Sequence, residues 1–277
     1  LSELKDTGLT RDKDYTMVIR SAQGEMAMLN SIIDAAAAGN HDIIFVSGTP
    51  ALQAAVKKIK KTVIIFTNSA DPVAAGAGKS FTEHLQNVTG KSTLSDFDGM
   101  VMLVRQIKPS AKTIGTIYTP SEINSVIYKD ALEKAAYNKG LTLVTVPVYA
   151  TSEVLNASEI LCEKNIDFIC QVADNLTGAS LASIAQAARK KHVPLLTFVT
   201  TPAQNGISVA AVARDYTQAG RDAARLALRI VRGENPASIP FTYVSKTRII
   251  INKTAADRAG LAIPEEVLKR ADEVITK

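Results

Sequence analysis

The sequence is poor in the side chains that build metal sites and disulfides. Its 277 residues include no tryptophan, two cysteines and three histidines. Cys170 lies within an apolar run downstream of Cys162, a pattern typical of neither a disulfide nor a zinc site, so both are interpreted as core thiols. None of the histidines has a second His or Cys at metal-ligand spacing, and we expect no bound metal.

Long apolar runs and a concentrated basic surface are also missing. The longest apolar run, residues 62–66, has the length of a β-strand and falls well short of the roughly 18–20 residues that span a bilayer. The 32 Lys and Arg against 27 Asp and Glu give a net charge of +5, but these residues are dispersed and aromatic residues make up only 5%. The distribution argues against a nucleic-acid-binding surface.

The sequence also lacks the motifs of common α/β enzymes. Gly76-Ala-Gly-Lys-Ser ends like a phosphate-binding loop, but the first glycine of that motif falls on Val73. No Gly-x-Gly-x-x-Gly follows a strand, and no Gly-x-Ser-x-Gly turn is present. We therefore expect a binding protein that is not an enzyme and that carries no cofactor.

What the sequence does contain is a repeated alternation of short β-branched runs, polar turns and Ala-rich amphipathic helices. This alternation predicts an α/β fold with parallel sheets. The predicted strands are 16–20, 43–46, 63–66, 113–118, 142–148, 168–171, 195–199 and 248–251. The predicted helices are 26–38, 51–60, 96–108, 124–139, 152–164, 176–191 and 217–232.

One half of the sequence weakly repeats the other. The segment 42–49 resembles 167–174, and an Ala-rich helix follows each of them. The strands 15–22 and 63–66 resemble 141–149 and 195–199 in the same way. The repeat predicts two doubly wound parallel-sheet lobes joined by a hinge.

The repeat also predicts where the lobes begin and end. The second lobe opens with strand 113–118, so the equivalent first strand of lobe 1 would precede residue 1. Residues 1–6 would then be the last turns of the first helix, with Gly8 as its cap. We expect lobe 1 to comprise 1–112 plus about 213–240, and lobe 2 to comprise 113–212 plus about 241–277.

Short polar side chains follow the first lobe's strands at the points where ligands bind in open parallel sheets. Ser47 and Thr49 follow one strand, and Thr67, Asn68 and Ser69 follow the next. Their hydroxyls and the N–H groups of the next helix could hold a carboxylate, although ordinary helix capping explains Ser47 and Thr49 equally well.

The second lobe repeats this arrangement with one acid. Ser121, Asn124 and Ser125 open a helix after strand 113–118, and Tyr118 either stacks on a flat ligand or fills the core. Asp174 could bind an ammonium group, although an N-cap for the helix after it is the slightly favoured local alternative. Together these groups suit a free amino acid better than a sugar.

The same turns carry a resemblance to a known family. The segments concerned are Ser47-Gly-Thr-Pro-Ala, Thr67-Asn-Ser-Ala-Asp-Pro-Val-Ala-Ala-Gly, Asn87-Val-Thr-Gly, Ile117-Tyr-Thr-Pro-Ser-Glu-Ile-Asn-Ser, Ala173-Asp-Asn, Asp215-Tyr-Thr-Gln-Ala-Gly-Arg and the ending from Asn252-Lys-Thr-Ala-Ala-Asp-Arg. In order and over nearly the whole chain, they resemble the ABC transporter substrate-binding proteins typified by the tryptophan-binding proteins of the TrpX type.

The resemblance implies a type I periplasmic-binding-protein fold that closes about its hinge on an aromatic or other apolar amino acid, such as tryptophan, phenylalanine or tyrosine. It implies delivery to an ABC permease, an extracytoplasmic location in the periplasm or on the outer face of the membrane, and an upstream export signal or lipoprotein anchor. By position, the resemblance assigns ligand-binding roles to the polar turn residues named above. It places Asp215 and Tyr216 on a hinge-side segment.

Three further points complete the interpretation. Homologous lobes predict a monomer. The turn Thr200-Thr-Pro-Ala-Gln-Asn-Gly departs from the acidic turn that the resemblance leads one to expect. The alternative function is an extracellular ligand-sensing domain of a receptor with the same fold.

Overall fold

A computed structural model describes residues 2–276, and Leu1 and Lys277 lie outside the described part. The chain forms two compact units, residues 2–94 with 215–246 and residues 95–214 with 247–276. The chain therefore connects the two units three times. Within the described residues, every helix is too short or too polar to cross a membrane.

Eleven strands are present in the described residues. They are β1 (Ile43–Ser47), β2 (Val63–Ser69), β3 (Val88–Ser92), β4 (Thr113–Tyr118), β5 (Thr142–Pro147), β6 (Phe168–Gln171), β7 (Leu195–Thr197), β8 (Ala210–Arg214), β9 (Thr242–Tyr243), β10 (Thr247–Asn252) and β11 (Glu273–Ile275).

The described α-helices alternate with most of these strands. They are α1 (Ser2–Asp6), α2 (Met26–Ala38), α3 (Thr49–Lys58), α4 (Phe97–Ile107), α5 (Ile123–Asn138), α6 (Val154–Cys162), α7 (Asn175–Ala179), α8 (Leu181–Lys190), α9 (Thr200–Gln204), α10 (Tyr216–Val231), α11 (Lys253–Arg258) and α12 (Glu265–Arg270). Two short 3₁₀ turns, Thr151–Glu153 and Pro236–Ser238, complete the helical structure.

Each unit contains one sheet. The sheet of the first unit has the order β1-β2-β3-β9, and all its pairs are parallel. The sheet of the second unit has the order β11-β10-β8-β7-β6-β4-β5, in which only β10 and β8 pair antiparallel. The run β5-β4-β6-β7-β8 is the 2-1-3-4-5 order of doubly wound folds. The predicted α/β class with parallel sheets is confirmed.

Burial explains why these runs form central strands. All four residues of β6 are buried, as expected for a parallel strand with a neighbour on each side. In the first unit Phe66 packs edge-on against Phe241, with ring centroids 4.9 Å apart. In the second unit Phe97 packs against Phe198, with centroids 4.8 Å apart. Each sheet thus has its own apolar core.

The first boundary between the units differs from the sequence expectation. The second unit begins at residue 95, before α4, whereas lobe 1 was expected to extend to residue 112. The reason is that α4 packs against α5, and its first residue, Phe97, contacts Phe198 and Tyr128 of the second unit. The later boundaries lie after residues 214 and 246, against about 212 and 240 expected.

The predicted strand 16–20 is wrong. This segment has no regular secondary structure, and Val18 and Ile19 are 67% and 70% exposed. Its counterpart in the repeat, β5, pairs only with β4. The described residues of the first unit contain no counterpart of β4, so a strand at 16–20 has no neighbour to pair with.

Because the described residues of the first unit contain no counterpart of β4, β1 is also more exposed than its counterpart β6. Its Phe45 is 44% exposed, whereas the counterpart Cys170 in β6 is fully buried between β4 and β7. At the start of the chain, residues 2–6 are helical as expected. Gly8 has φ 87° and its N–H donates to the carbonyl of Lys5, which ends the helix.

Several elements were not foreseen in their observed form, including β9, β11, α9, α11 and α12. The strands β3 and β8 consist largely of small residues and were not predicted, although their residues are almost all buried. The single helix expected over 176–191 is divided into α7 and α8 at Ser180, whose φ of −106° departs from helical geometry.

Asp167 fastens the start of β6 to its neighbours. Its carboxylate accepts hydrogen bonds from Lys108 Nζ (2.6 Å) and from the backbone N–H groups of Lys112 (2.7 Å) and Thr113 (3.0 Å). Burial alone raises the pKa of Asp167, but these donors outweigh burial and hold the pKa below its ordinary value. The interaction therefore stabilises the fold when Asp167 is ionised.

We expect Asp167→Ala to lower the free energy of unfolding by about 1–3 kcal/mol, because it removes the charged acceptor of the Lys112 and Thr113 N–H groups and of the Lys108 ammonium group. The matched control is Asp42→Ala. Asp42 occupies the same position in the repeat, is exposed, and makes no side-chain hydrogen bond within the described residues. Its effect should stay within about 0.5 kcal/mol. Urea unfolding of both variants checks the difference, and equal losses would contradict this role.

The Asp167 contribution should depend on pH. A carboxyl group with a depressed folded-state pKa contributes stability above its unfolded-state pKa and loses it as pH falls through the folded-state pKa. The stability gap between wild type and Asp167→Ala should therefore narrow in acid. A gap that is constant from neutral to strongly acidic pH in urea unfolding would disprove the ionic origin of the effect.

Candidate functional site

In the first unit the turn after β1 leads directly into α3. Gly48 has φ 99° and ψ 148°, a conformation accessible almost only to glycine, and its N–H donates to the carbonyl of Thr67 (3.1 Å). The helix starts with Thr49 and Pro50 and has no side-chain cap. The N–H groups of its first turn therefore face the turn without a capping oxygen from a side chain.

An irregularity near the carboxyl end of β2 brings further polar residues to the same place. The pairing with β3 shifts register between Phe66 and Ser69, and Asn68 has φ 55°. This geometry lets Asn68 Nδ2 donate to Ser47 Oγ (2.8 Å). The hydroxyls of Thr49 and Ser69 lie 3.3 Å apart beneath them.

All five residues predicted in the first unit therefore lie close together, at the carboxyl ends of β1 and β2 and at the start of α3. Ser47 is exposed, and Thr67 and Asn68 are partly exposed, so these three can meet a ligand. Thr49 and Ser69 are buried; Thr49 Oγ1 accepts a hydrogen bond from the N–H of Ala70 (3.4 Å). These two hydroxyls support the turns.

In the second unit, β4 and β6 are neighbours, and the turns after them interact. Asp174 follows β6 and is the N-cap of α7, accepting hydrogen bonds from both the N–H (2.7 Å) and the hydroxyl of Thr177. Ser125, in the first turn of α5, donates its hydroxyl to the other oxygen of Asp174 (2.5 Å). The capping role of Asp174 is confirmed.

Asp174 is an acid in an unfavourable environment. It is 5% exposed, and within the described residues no lysine or arginine pairs with it. Burial raises the pKa of Asp174, the donors Ser125 and Thr177 oppose this rise, and the nearby Glu122 carboxylate adds to it. A cation beside Asp174 would remove this penalty.

Glu122 was not among the residues predicted from the sequence. Its carboxylate accepts hydrogen bonds from the N–H groups of Asn175 and Leu176, both 2.9 Å, and from Asn124 Nδ2 (3.3 Å). It thereby joins the turn before α5 to the start of α7. Asn175 and Leu176 are distant from Glu122 in the sequence. The only sequence indication of this role was an acidic residue beside a predicted helix start.

Thr119 is a second residue that the prediction missed. Its N–H donates to Ser125 Oγ (2.8 Å), while its own buried hydroxyl has no partner within the described residues. Buried hydroxyls are nearly always hydrogen-bonded, so Thr119 is an exception, and it adjoins the pair formed by Ser125 and Asp174. The only indication of Thr119 in the sequence was a Thr-Pro pair at the end of a predicted strand.

The remaining predicted residues differ in exposure. Tyr118, at the end of β4, is partly exposed and has Lys129 Nζ 5.9 Å from its ring centroid, so it is not a core residue. Ser121 is exposed and Asn124 is buried. The helix α5 that follows has no side-chain cap.

Asp215 has a capping role. It is the N-cap of α10, where its side chain accepts from the N–H of Gln218 (3.0 Å), and its own N–H donates to the carbonyl of Lys246 (3.0 Å). It is the first residue of the chain's return to the first unit. Within the described residues no hydrogen bond joins it to the turns after β1 and β2.

Comparison with known proteins adds to this geometry. The chain is 32% identical over 253 residues to a tyrosine-binding protein of Clostridioides difficile strain R20291, covering 91% of this chain and 73% of that protein. A Streptococcus pneumoniae domain solved in complex with L-tryptophan is 26% identical, with a TM-score of 0.92 and coverage of 99% and 92%.

A ligand-free substrate-binding protein with adhesive properties from Clostridium difficile is 29% identical, with a TM-score of 0.77 and coverage of 100% of this chain and 92% of that one. The family model described as ABC transporter substrate binding protein matches residues 1–275. Because that match spans nearly the whole chain, the protein belongs to the ABC transporter substrate-binding protein family.

Proposed function

We propose that this protein binds a free amino acid with an aromatic or other apolar side chain outside the cytoplasm and delivers it to an ABC permease without chemical turnover. Relatives named for binding tyrosine or solved with L-tryptophan support the ligand class. The observation that carries the proposal is the buried Asp174 carboxylate, which lacks a cationic partner in the described residues.

The ammonium group of the ligand would be the counter-charge of Asp174. A buried carboxylate without a cation is costly, and hydroxyl donors offset only part of that cost. Ser125 and Thr177 fix the carboxylate in one orientation through hydrogen bonds to both of its oxygens. An α-ammonium group beside them would gain a charge-assisted hydrogen bond without any rearrangement of Asp174.

The ligand carboxylate would use the helix starts. The first turns of α3 and α5 have no side-chain caps, so their N–H groups and partial positive charge are available to an anion. In the first unit, Ser47 and Asn68 add a hydroxyl and an amide at the exposed surface of the turn. The unpaired hydroxyl of Thr119 offers a further hydrogen bond in the second unit.

The partly exposed ring of Tyr118 would pack against the apolar part of the ligand. An aromatic ligand side chain can stack on a tyrosine ring at a separation of about 4.5–7 Å. As a member of the ABC transporter substrate-binding protein family, the protein would act as a monomer that meets a permease.

A thermal-shift screen against the twenty amino acids, common sugars and purines tests the ligand class. At 100 times its dissociation constant, a ligand should add about 2.7 kcal/mol to the free energy of unfolding. We expect the largest shift with tyrosine, tryptophan or phenylalanine, on protein refolded to remove any co-purified ligand. A shift with a sugar and none with any amino acid would contradict the proposal.

Asp174→Ala should weaken binding of that amino acid by about tenfold or more, because the ligand ammonium loses its charged partner. The matched control is Asp96→Ala, since Asp96 caps α4 in the same unit by accepting from the N–H of Gly99 (2.8 Å). Both variants lose a helix cap, but only one should lose affinity in titration calorimetry. Unchanged affinity in Asp174→Ala would refute the assignment.

Binding should also depend on pH through Asp174. Burial raises its pKa in the free protein, whereas a bound ammonium group would lower it, so binding expels a proton below the raised pKa. The dissociation constant should therefore increase as pH falls through that pKa. In Asp174→Asn this pH dependence should disappear; a dependence identical to wild type would show that another group is responsible.

A further inference from the structure

A cavity lies in the second unit at the amino ends of β7 and β8, away from the carboxyl-end turns described above. It has a volume of about 150 Å³. It is formed by the end of α8, the segments that enter β7 and β8, and α11. We propose that this cavity binds a small carboxylate with an apolar body, independently of the amino-acid site.

The inner surface of the cavity is apolar. Ala185, Leu195, Val209 and Ala255 are buried residues that line it, and the partly buried Ile207 adds a further apolar surface. An engineered apolar cavity of about this size in another protein holds benzene. The cavity can therefore accept a group about as large as a phenyl ring or a branched alkyl chain.

Three basic side chains surround the opening. Arg189, His192 and Arg258 are exposed members of the lining. Arg258 Nη2 donates to the carbonyl of Gly206 (3.1 Å), which holds the guanidinium at the cavity while most of its five N–H donors stay available. Gly206 has φ 70°, and a Cβ there would lie 3.1 Å from the same nitrogen.

The charged residues next to these three in the chain already form ion pairs. Glu159 pairs with Lys190 (2.8 Å) and Glu163 pairs with Lys191 (3.1 Å). On the other side of the opening, Asp257 pairs with Lys253 (3.4 Å).

Within the described residues, neither Arg189 nor Arg258 has a carboxylate partner. The opening therefore carries an uncompensated positive charge.

This combination defines the chemistry of the ligand. A guanidinium binds a carboxylate through paired hydrogen bonds, and the apolar interior favours a ligand with an uncharged hydrocarbon body. A zwitterionic amino acid would place its ammonium group against the basic opening and is disfavoured. An aromatic or branched-chain monocarboxylate without an amine fits both parts of the cavity.

Benzoate, with benzamide as its neutral isostere, is the probe. Methyl resonances of Ala185, Ala255 and Ile207 would be followed by NMR during titration. We expect benzoate to shift these methyls, to bind more weakly at high salt, and to bind about tenfold or more tightly than benzamide. The titration is repeated with the amino-acid site saturated, and the same methyl shifts should persist.

Variants separate the cavity from a general charge effect. Arg258→Gln and Arg189→Gln should each weaken benzoate binding by about tenfold. Arg232→Gln removes the same charge from an exposed residue outside the cavity and should leave binding unchanged. Equal affinity for benzamide, equal loss in Arg232→Gln, or shifts that vanish when the amino-acid site is full would each overturn the proposal, whatever the fate of the amino-acid site.

Discussion

Parallel pairing of β4 with β6 is the constraint on which the candidate site depends. Carboxyl ends of neighbouring parallel strands emerge at one edge, so the turn that contains Ser125 lies beside the turn that contains Asp174. Asp167 fixes the opposite end of the same pair through backbone N–H groups at the start of β4. The strand order thus decides which polar side chains lie close enough to interact. It places the Asp174 carboxylate in a buried position beside Ser125.

Much of the fold could be predicted because its signals are local. The apolar runs of β4 and β6 and the helix after β4 have boundaries that periodicity and turn residues indicate, and β4 and β6 match the prediction residue for residue. The failures among these strands have one physical cause, because strand pairing depends on residues that are distant in the sequence. Residues 16–20 have the composition of a strand but no neighbouring strand to pair with. In contrast, β8 consists largely of small residues, and it forms a strand because of its packing and not because of its composition.

The same distinction applies to the site. Sequence reasoning predicts Ser47, Asn68 and Asp174 as site residues because short polar residues at strand ends are a local pattern. It misses Glu122 and Thr119 because their importance lies in what surrounds them: helix N–H groups from α7 for one, and burial without a partner for the other. The sequence also does not show whether an Asp is buried. Asp174 caps α7, and its burial suits it to bind a ligand cation as well.

The central claim is that Asp174 is the counter-charge of a bound amino acid. The most direct test is a crystal structure of the protein with L-tyrosine or L-tryptophan bound. The account predicts a ligand nitrogen within about 3 Å of an Asp174 oxygen, with the Ser125 and Thr177 hydrogen bonds retained. A ligand whose ammonium group contacts a different acid, while Asp174 remains only the cap of α7, would contradict it.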